Sequence, residues 1–380
     1  MVECVIVGGG PAGSSAAYHL AKAGREVLLL EKAALPRYKP CSGAVSPSIA
    51  GWFDCDFTPA VDSYIRNVRY TWKLGDAVNA QLETEPIWSV RRDVFDQFLI
   101  DQAVAKGAQV RDQTAVTGIE FMGDRWRVTT EQETLSAQYL IGADGAQGPM
   151  ANWLGFKPHT VREAGVLEMA TDVPVENGAF SFEFGLVKNG CLWSFPKRKG
   201  YSIGASSFIG GSVKDFKTPL SQYVSTLGMS LEQGRLYIHP LKLWDGNRVL
   251  HTDHALLVGE AAAIVDPLTA EGIRPAIYSG MMAAQAINQT LNKSGTAAGA
   301  DALANYTRII HESWGADMQW AQRIANVFFR VPKLGYRVGI KRPTATKRLG
   351  QILAGDIRYA DIAKRVVKRL STGFIPGMGG

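Results

Sequence analysis

The sequence predicts an α/β protein: a parallel-sheet lobe interrupted by an inserted antiparallel β-sheet lobe and followed by a helical C-terminal tail. Three observations predict it. An apolar β-forming run, Val5-Ile6-Val7, leads directly into a glycine-rich turn and a helix of small residues. Strand-type alternation returns across residues 160–245, where Phe180, Phe182 and Phe184 alternate with Ser181 and Glu183. Helical patterning then takes over from Ile273.

The opening turn carries the first chemistry. Gly8, Gly10 and Gly13 fit Gly-x-Gly-x-x-Gly, with Pro11 and Ala12 inside it, and Ser14 to Ala23 reads as the following helix. The first glycine permits a tight turn, the second lets backbone approach a pyrophosphate, and the third lets helix and strand pack closely. The helix N-terminus supplies a positive end for phosphate. Glu31, eighteen residues beyond Gly13, ends a second strand (Glu26 to Leu30) and can accept hydrogen bonds from ribose hydroxyls. Strand, helix, strand and acid in this order indicate a bound dinucleotide.

The later elements follow in order. Val68 to Trp72, Val78 to Thr84 and Ile87 to Val90 are short strand-like runs separated by turn residues. Arg92 to Ala105 reads as a helix with Phe95, Phe98, Leu99 and Ala103 on one face. Gln138 to Gly142 is a strand ending in Ala143-Asp144-Gly145, a turn that is either a ligand-facing loop or a plain Asp-Gly turn. Ala255 to Gly259 is a short buried strand, and Ile273 to Leu291 is a long helix with Pro275 in its first turn. The expected division is a nucleotide domain from 1–60, 91–155 and 246–300, a sheet domain from 61–90 and 156–245, and a helical region over 301–380.

Composition bounds the rest. The 380 residues carry 41 Lys and Arg against 35 Asp and Glu, a net charge of +6. Between Lys333 and Arg369 the local balance is +9, so the remainder sums to −3 and the basicity belongs to the tail. That distribution argues against a nucleic-acid binder. Cys4, Cys41, Cys55 and Cys191 lack metal-ligand spacing and the six histidines are scattered, so no metal site is expected and the thiols read as reduced and cytoplasmic. The first strand begins too early for a signal peptide, and no apolar run reaches the roughly 20 residues that span a bilayer.

Four motifs taken together resemble the glutathione-reductase-like flavoproteins of the para-hydroxybenzoate hydroxylase type, and within them the geranylgeranyl reductase family. They are Gly8 to Gly13 with Glu31; Arg92-Asp93-Val94-Phe95-Asp96; Gly142-Ala143-Asp144-Gly145; and Gly259-Glu260-Ala261-Ala262 with Asp266-Pro267 and Glu271-Gly272-Ile273. The resemblance covers roughly residues 1–290 and implies bound FAD. It places Glu31, with Lys32 and Arg37 nearby, at the adenosine end, and Arg92 along the phosphate–ribitol region. Asp144, Gly259, Glu260 and Pro267 would lie beside the cofactor, with Glu260 standing where relatives have Asp. Gly272 and Ile273 would offer backbone N–H groups to the flavin's pyrimidine edge.

Two further stretches bear on substrate. Lys39-Pro40-Cys41-Ser42-Gly43-Ala44-Val45 is similar to the Lys-Pro-Cys-Gly-Gly-Ala-Ile stretch of plant-type geranylgeranyl reductases, which lies beside the flavin. Cys41 would either donate a proton or shape the pocket. Gly190-Cys191-Leu192-Trp193-Ser194-Phe195-Pro196-Lys197 resembles the family's Tyr-x-Trp-x-Phe-Pro signature, with Cys191 in place of Tyr. On a strand Cys191, Trp193 and Phe195 share a face, which serves either a prenyl pocket or a sheet core.

The resemblance implies hydride transfer from reduced flavin N5 to a polyprenyl C=C bond, with Cys41 and Trp193 as catalytic residues. Cys191, Trp193, Phe195 and Pro196 would bind the chain of a prenyl lipid or prenyl diphosphate. Alternatives on the same scaffold are a monooxygenase of an apolar substrate and a prenyl-lipid binding flavoprotein. No second glycine-rich nucleotide turn follows a strand, so reduction would come from transiently bound NAD(P)H or from ferredoxin. The stretch Tyr359 to Leu370, with Lys364, Arg365, Lys368 and Arg369 opposite an apolar face, suits either peripheral contact with an anionic membrane, an acidic donor such as ferredoxin, or packing on the body.

Overall fold

Val2–Val7 is the strand around which the first sheet is laid, flanked in parallel by Val27–Leu30 and Thr134–Gly142. The computed structural model describes residues 2–362 apart from 173–174, 176–177 and 293–295. Gln109–Arg111 extends the sheet in parallel beyond Val27–Leu30. Trp126–Thr130 and Val116–Phe121 add an antiparallel edge to the first half of Thr134–Gly142, and Ala255–Leu257 pairs in parallel with its last three residues. Val7 stands opposite Gly142, so the carboxyl ends of both central strands open at one edge, where ligands of such sheets bind.

Two helices cover that edge. Pro11–Lys22 carries an almost wholly buried face of small residues, and Ile273–Asn292 crosses it closely. The crossing depends on Gly280, whose missing side chain leaves room for the Ala12 carbonyl. Ser15 Oγ donates to the Ile277 carbonyl at 2.8 Å and locks the pair.

The second large sheet runs in the order Gly234–Leu241, Arg162–Ala170, Gly200–Ser207, Gly190–Lys197, Ala179–Phe184, Asn67–Trp72 and Gly75–Gln81. Its ladders are antiparallel except one: Ala179–Phe184 lies parallel to Asn67–Trp72. The long excursion through the first sheet between these strands makes a parallel return possible where a tight hairpin could not. Ala44–Val45, Ile87–Ser89 and Ser63–Ile65 form a small antiparallel sheet between the two large ones. The strand reading of residues 160–245 misses one helix, Lys217–Ser225, whose Leu220, Tyr223 and Val224 bury against Leu167, Leu192 and Ile203 on the outer face.

Beyond Ile273–Asn292 the described residues from Thr296–Ile310 to Pro343–Ala354 are mostly helical. Phe329, Tyr336 and Ile340 pack on the aromatic face of the second sheet. Of the stretch expected as an amphipathic tail helix, Tyr359 is buried and donates to Asp266 Oδ2 at 2.8 Å. Ala363 to Leu370 lies outside the described residues. Among the described residues no helix is long and apolar enough to cross a membrane.

Candidate functional site

Both sheets contribute to one large cavity, with about 1380 Å³ of space including its open mouth. Its first wall is the start of helix Pro11–Lys22, through Gly10, Pro11 and Ala12, beside Ala143 and Gly145. The turn beneath is dictated by glycine. Gly8 has φ +111°, and a Cβ on Gly13 would fall on the Gly8 carbonyl. The second wall is the start of the long helix, through Gly272, Ile273 and Ala276. Two positive helix ends therefore face one space.

The third wall is apolar. Phe180 and Phe182 from one strand and Trp193 and Phe195 from the next line the cavity, with Ala164, Val166 and Leu241 beyond them. Phe180 and Phe195 stack with centroids 4.2 Å apart. Trp193 stands opposite Gly204 on the neighbouring strand, and a side chain there would overlap the indole ring. Leu353, from the last described helix, closes one side.

Between these walls runs the loop Lys39 to Ala44. Cys41 Sγ accepts the Gly43 N–H at 3.4 Å. Trp193 Nε1 donates to Ser42 Oγ, and Val90 N–H donates to the Gly43 carbonyl at 2.8 Å. Lys197 Nζ, buried beneath the loop, donates to the Ser42 carbonyl.

Charge is concentrated on the side of the glycine turn. Glu31 accepts the Gly9 N–H at 2.9 Å and the Ala33 N–H at 3.0 Å, and its carboxylate lies 3.2 Å from Arg37 Nε. A carboxylate offers four lone-pair sites, so acceptor capacity remains. Arg92 lines the cavity but spends its fork on Asp96, with both bonds at 2.7 Å. Burial opposes the Asp96 charge, yet Arg92 and Arg37 outweigh it and hold the carboxyl below its usual range. Glu260 lines the cavity 3.5 Å from Lys39 Nζ and 3.8 Å from His239 Nε2. Burial again opposes the charge, but Lys39 and His239 bring its pKa down to about 2.

Of the residues singled out in the sequence, Gly10, Pro11, Ala12, Cys41, Ser42, Gly43, Arg92, Trp193, Phe195, Glu260, Gly272 and Ile273 line this cavity. Others act behind it. Gly8 and Gly13 shape the turn, while Gly259 donates its N–H to Ser279 Oγ at 2.9 Å and packs against Ala12. Asp144 turns away: its Oδ2 accepts the Met150 N–H at 2.8 Å, while its neighbours Ala143 and Gly145 face the cavity. Lys32 is exposed and Pro267 is buried, and neither lines the cavity. Cys191 is buried on the same strand face as Trp193, in the apolar cluster with Phe184, but lies beyond the lining. Pro196 packs on the other face, against Gly178.

Lys39, His239 and the pair Phe180 and Phe182 had no role read for them in the sequence. The two phenylalanines were signalled by alternation, and His239 alternates with Leu241 along its strand.

A family model described as FAD dependent oxidoreductase matches residues 3–95, and one described as FAD binding domain matches residues 56–197. An uncharacterised protein of Methanosarcina barkeri is 33% identical over 296 residues, 77% of this chain and 76% of its own. A geranylgeranyl diphosphate reductase of Rhodobacter capsulatus is 31% identical over 301 residues, covering 75% of this chain and 74% of that one. The chain belongs to the geranylgeranyl reductase family. A digeranylgeranylglycerophospholipid reductase of Methanocaldococcus jannaschii is 28% identical over 313 residues, 76% and 77% of the two chains. The crystal structure of a geranylgeranyl bacteriochlorophyll reductase-like protein from Thermoplasma acidophilum shares the fold, with TM-score 0.76, 21% identity, and 93% and 91% of the chains covered.

As a geranylgeranyl reductase family member the protein is an FAD-dependent oxidoreductase, and its residues fit that cofactor. The Gly8–Gly13 turn admits a diphosphate at a helix N-terminus, and Glu31 has acceptor capacity for a ribose. The second helix start, at Gly272, lines the same cavity, where its N–H groups would suit an electron-rich ring edge.

Proposed function

We propose that this reductase saturates carbon–carbon double bonds of a geranylgeranyl-type or other polyprenyl substrate. The observation that carries this reading is the meeting of two helix N-termini with four aromatic rings across the Cys41 loop in one cavity. A hydrocarbon chain offers almost nothing to hydrogen-bond, so apolar surface is what can hold it.

Bound FAD would supply two-electron, hydride-transfer chemistry. The chain's own residues do the rest. Gly10 to Ala12 and Glu31 hold the dinucleotide, and Gly272 and Ile273 present backbone N–H groups. Phe180, Phe182, Trp193 and Phe195 exclude water and fix the alkene. Their π-faces stabilise the positive charge that develops on one carbon as the other is protonated, charge that hydride then quenches. The Cys41 thiol, on the loop between the two halves, holds the proton for the second carbon, with ordered water as the alternative source.

NAD(P)H or ferredoxin supplies the electrons in this reading, and the basic stretch from Lys333 onward favours an acidic carrier. The same basic stretch and the prenyl character of the substrate favour peripheral membrane contact.

Anaerobic turnover tests the central claim. The purified yellow protein is reduced with dithionite and mixed with geranylgeranyl diphosphate, and the extracted product is weighed by mass spectrometry. A gain of two hydrogens per saturated bond is expected. Reoxidation by air alone, with unchanged substrate, sinks the reading in favour of oxygen chemistry.

A further inference from the structure

Lys197 is only 9% exposed, and its ammonium has exactly as many protons as it has acceptors around it. Nζ donates to the Ser42 carbonyl, to the Val90 carbonyl at 2.9 Å and to Ser89 Oγ at 3.1 Å. None of the three can return a proton. Two are carbonyls, and the Ser89 hydroxyl already gives its own to the Pro196 carbonyl at 2.8 Å. The loop has further contacts: Val90 N–H holds Gly43, Trp193 Nε1 holds the Ser42 side chain, and Ser202 Oγ donates to the Cys41 carbonyl at 3.2 Å. A Cβ on Gly43 would stand 2.7 Å from Nζ, so the loop sits directly on the ammonium.

We propose that Lys197 is a positioning residue whose protonated side chain pins Cys41-Ser42-Gly43 in its reactive pose, and that loss of the third proton frees the loop. The inference rests on the reading of this cavity as the reaction site. It adds a pH-sensitive element to it.

The chemistry is a count of donors. An ammonium has three N–H groups and a neutral amine has two plus a lone pair. Deprotonation leaves one acceptor without its N–H and turns a lone pair toward it. Burial lowers the pKa of this ammonium to about 8, while Cys41, Glu168 and Asp62 favour its charge and Arg91 opposes it. Those four groups approach from the loop, the strand Arg162–Ala170 and the segments flanking the small sheet. Because the folded-state pKa lies below the ordinary lysine value, the clamp holds at neutral pH and is lost progressively as pH rises through about 8.

Hydrogen exchange on the FAD-loaded protein tests this without relying on turnover. Exchange of the amides of residues 41–46 is followed by mass spectrometry at pH 7 and pH 9.5 and corrected for the intrinsic pH effect. In the wild type we expect roughly ten- to hundredfold faster corrected exchange at the higher pH, the ratio given by losing one charge-assisted hydrogen bond. Lys197→Met should exchange fast at both pH values. Ser89→Ala, with only two acceptors left, should stay protected at both, because a neutral amine satisfies two.

A Lys197→Met protein with full FAD content and wild-type protection overturns the clamp. Should that variant lose its flavin, Ser89→Ala decides: alkaline release equal to wild type overturns the donor count. Anaerobic turnover that falls along the same alkaline limb supports the link to the reactive pose, and unchanged turnover with a freed loop overturns it. Absence of any prenyl product would count against the reduction reading and leave the exchange result standing.

Discussion

Trp193 donates its indole N–H to the hydroxyl of Ser42, so the middle of the aromatic sheet is tied to the loop that carries Cys41. One bond thereby fixes the substrate wall relative to the proposed proton source. Trp193→Phe keeps an aromatic ring and drops the N–H. It should lower kcat/KM by a factor of roughly three to ten, corresponding to about 0.5–1.5 kcal/mol for a net hydrogen bond. Trp193→Ala should abolish prenyl reduction while flavin absorbance stays at the wild-type level. Normal turnover in the alanine variant would remove the main support for the substrate assignment.

Gly204 gives the same indole its space from behind. A methyl group there overlaps the ring, and the neighbouring strand backbone cannot move without breaking its ladder. Gly204→Ala should cost about 1–3 kcal/mol by overpacking and swing Trp193 into the cavity. A thermal melt gives the first effect, and the KM for prenyl substrate gives the second. A variant with wild-type melting and wild-type KM would show that the indole has room elsewhere.

Asp96 is a buried carboxylate between two guanidinium groups, Arg92 at 2.7 Å and Arg37 at 3.0 Å. Its folded-state pKa is depressed. The stability it contributes is therefore complete above its unfolded value of about 3.9 and is lost as pH falls through the lower folded value. Asp96→Asn leaves Arg92 buried without a counter-charge and should destabilise by about 3–5 kcal/mol. It should also flatten the acid side of a melting-temperature profile. An unchanged acid limb would mean that other carboxylates carry it.

Glu260 remains ionised throughout the working range, since Lys39 and His239 hold its pKa near 2 against burial. Replacing Glu260 with Gln keeps the shape and removes the charge-assisted acceptor. Equilibrium titration of the apoprotein should show FAD affinity reduced roughly ten- to hundredfold, the range for a hydrogen bond to a charged group. Unaltered affinity would show that Glu260 does not contact the cofactor.

Much of this was legible in the residues themselves. The Gly8–Gly13 turn, Glu31 and the two long helices depend on local rules, where one φ or one helix start decides the residue type. Trp193 and Phe195 were readable because strand alternation puts them on one face. The same rule also gathered Cys191, and alternation cannot say where along a strand a cavity stops. Pro196 was included by its place in a motif, although its ring points to the opposite face. Asp144 shows another limit: its side chain serves the turn to Met150, and only its backbone neighbours reach the cavity. Lys39, His239 and Lys197 went unread because each acquires meaning from a partner more than a hundred residues away, or from a loop of another sheet. The helix Lys217–Ser225 did carry its spacing in Leu220, Tyr223 and Val224, but strand patterning on both sides outweighed it.

The closing wall of the cavity is laid by the last part of the described chain. Leu353 faces the interior, Ser46 donates to the Ala354 carbonyl, Arg274 reaches toward the Ile352 carbonyl, and Tyr359 holds Asp266. The glycine turn, its neighbouring strands and the long helix are all complete well before those residues leave the ribosome. One side of the cavity is thus closed by residues that follow the nucleotide-type sheet, the aromatic strands and the long helix in sequence.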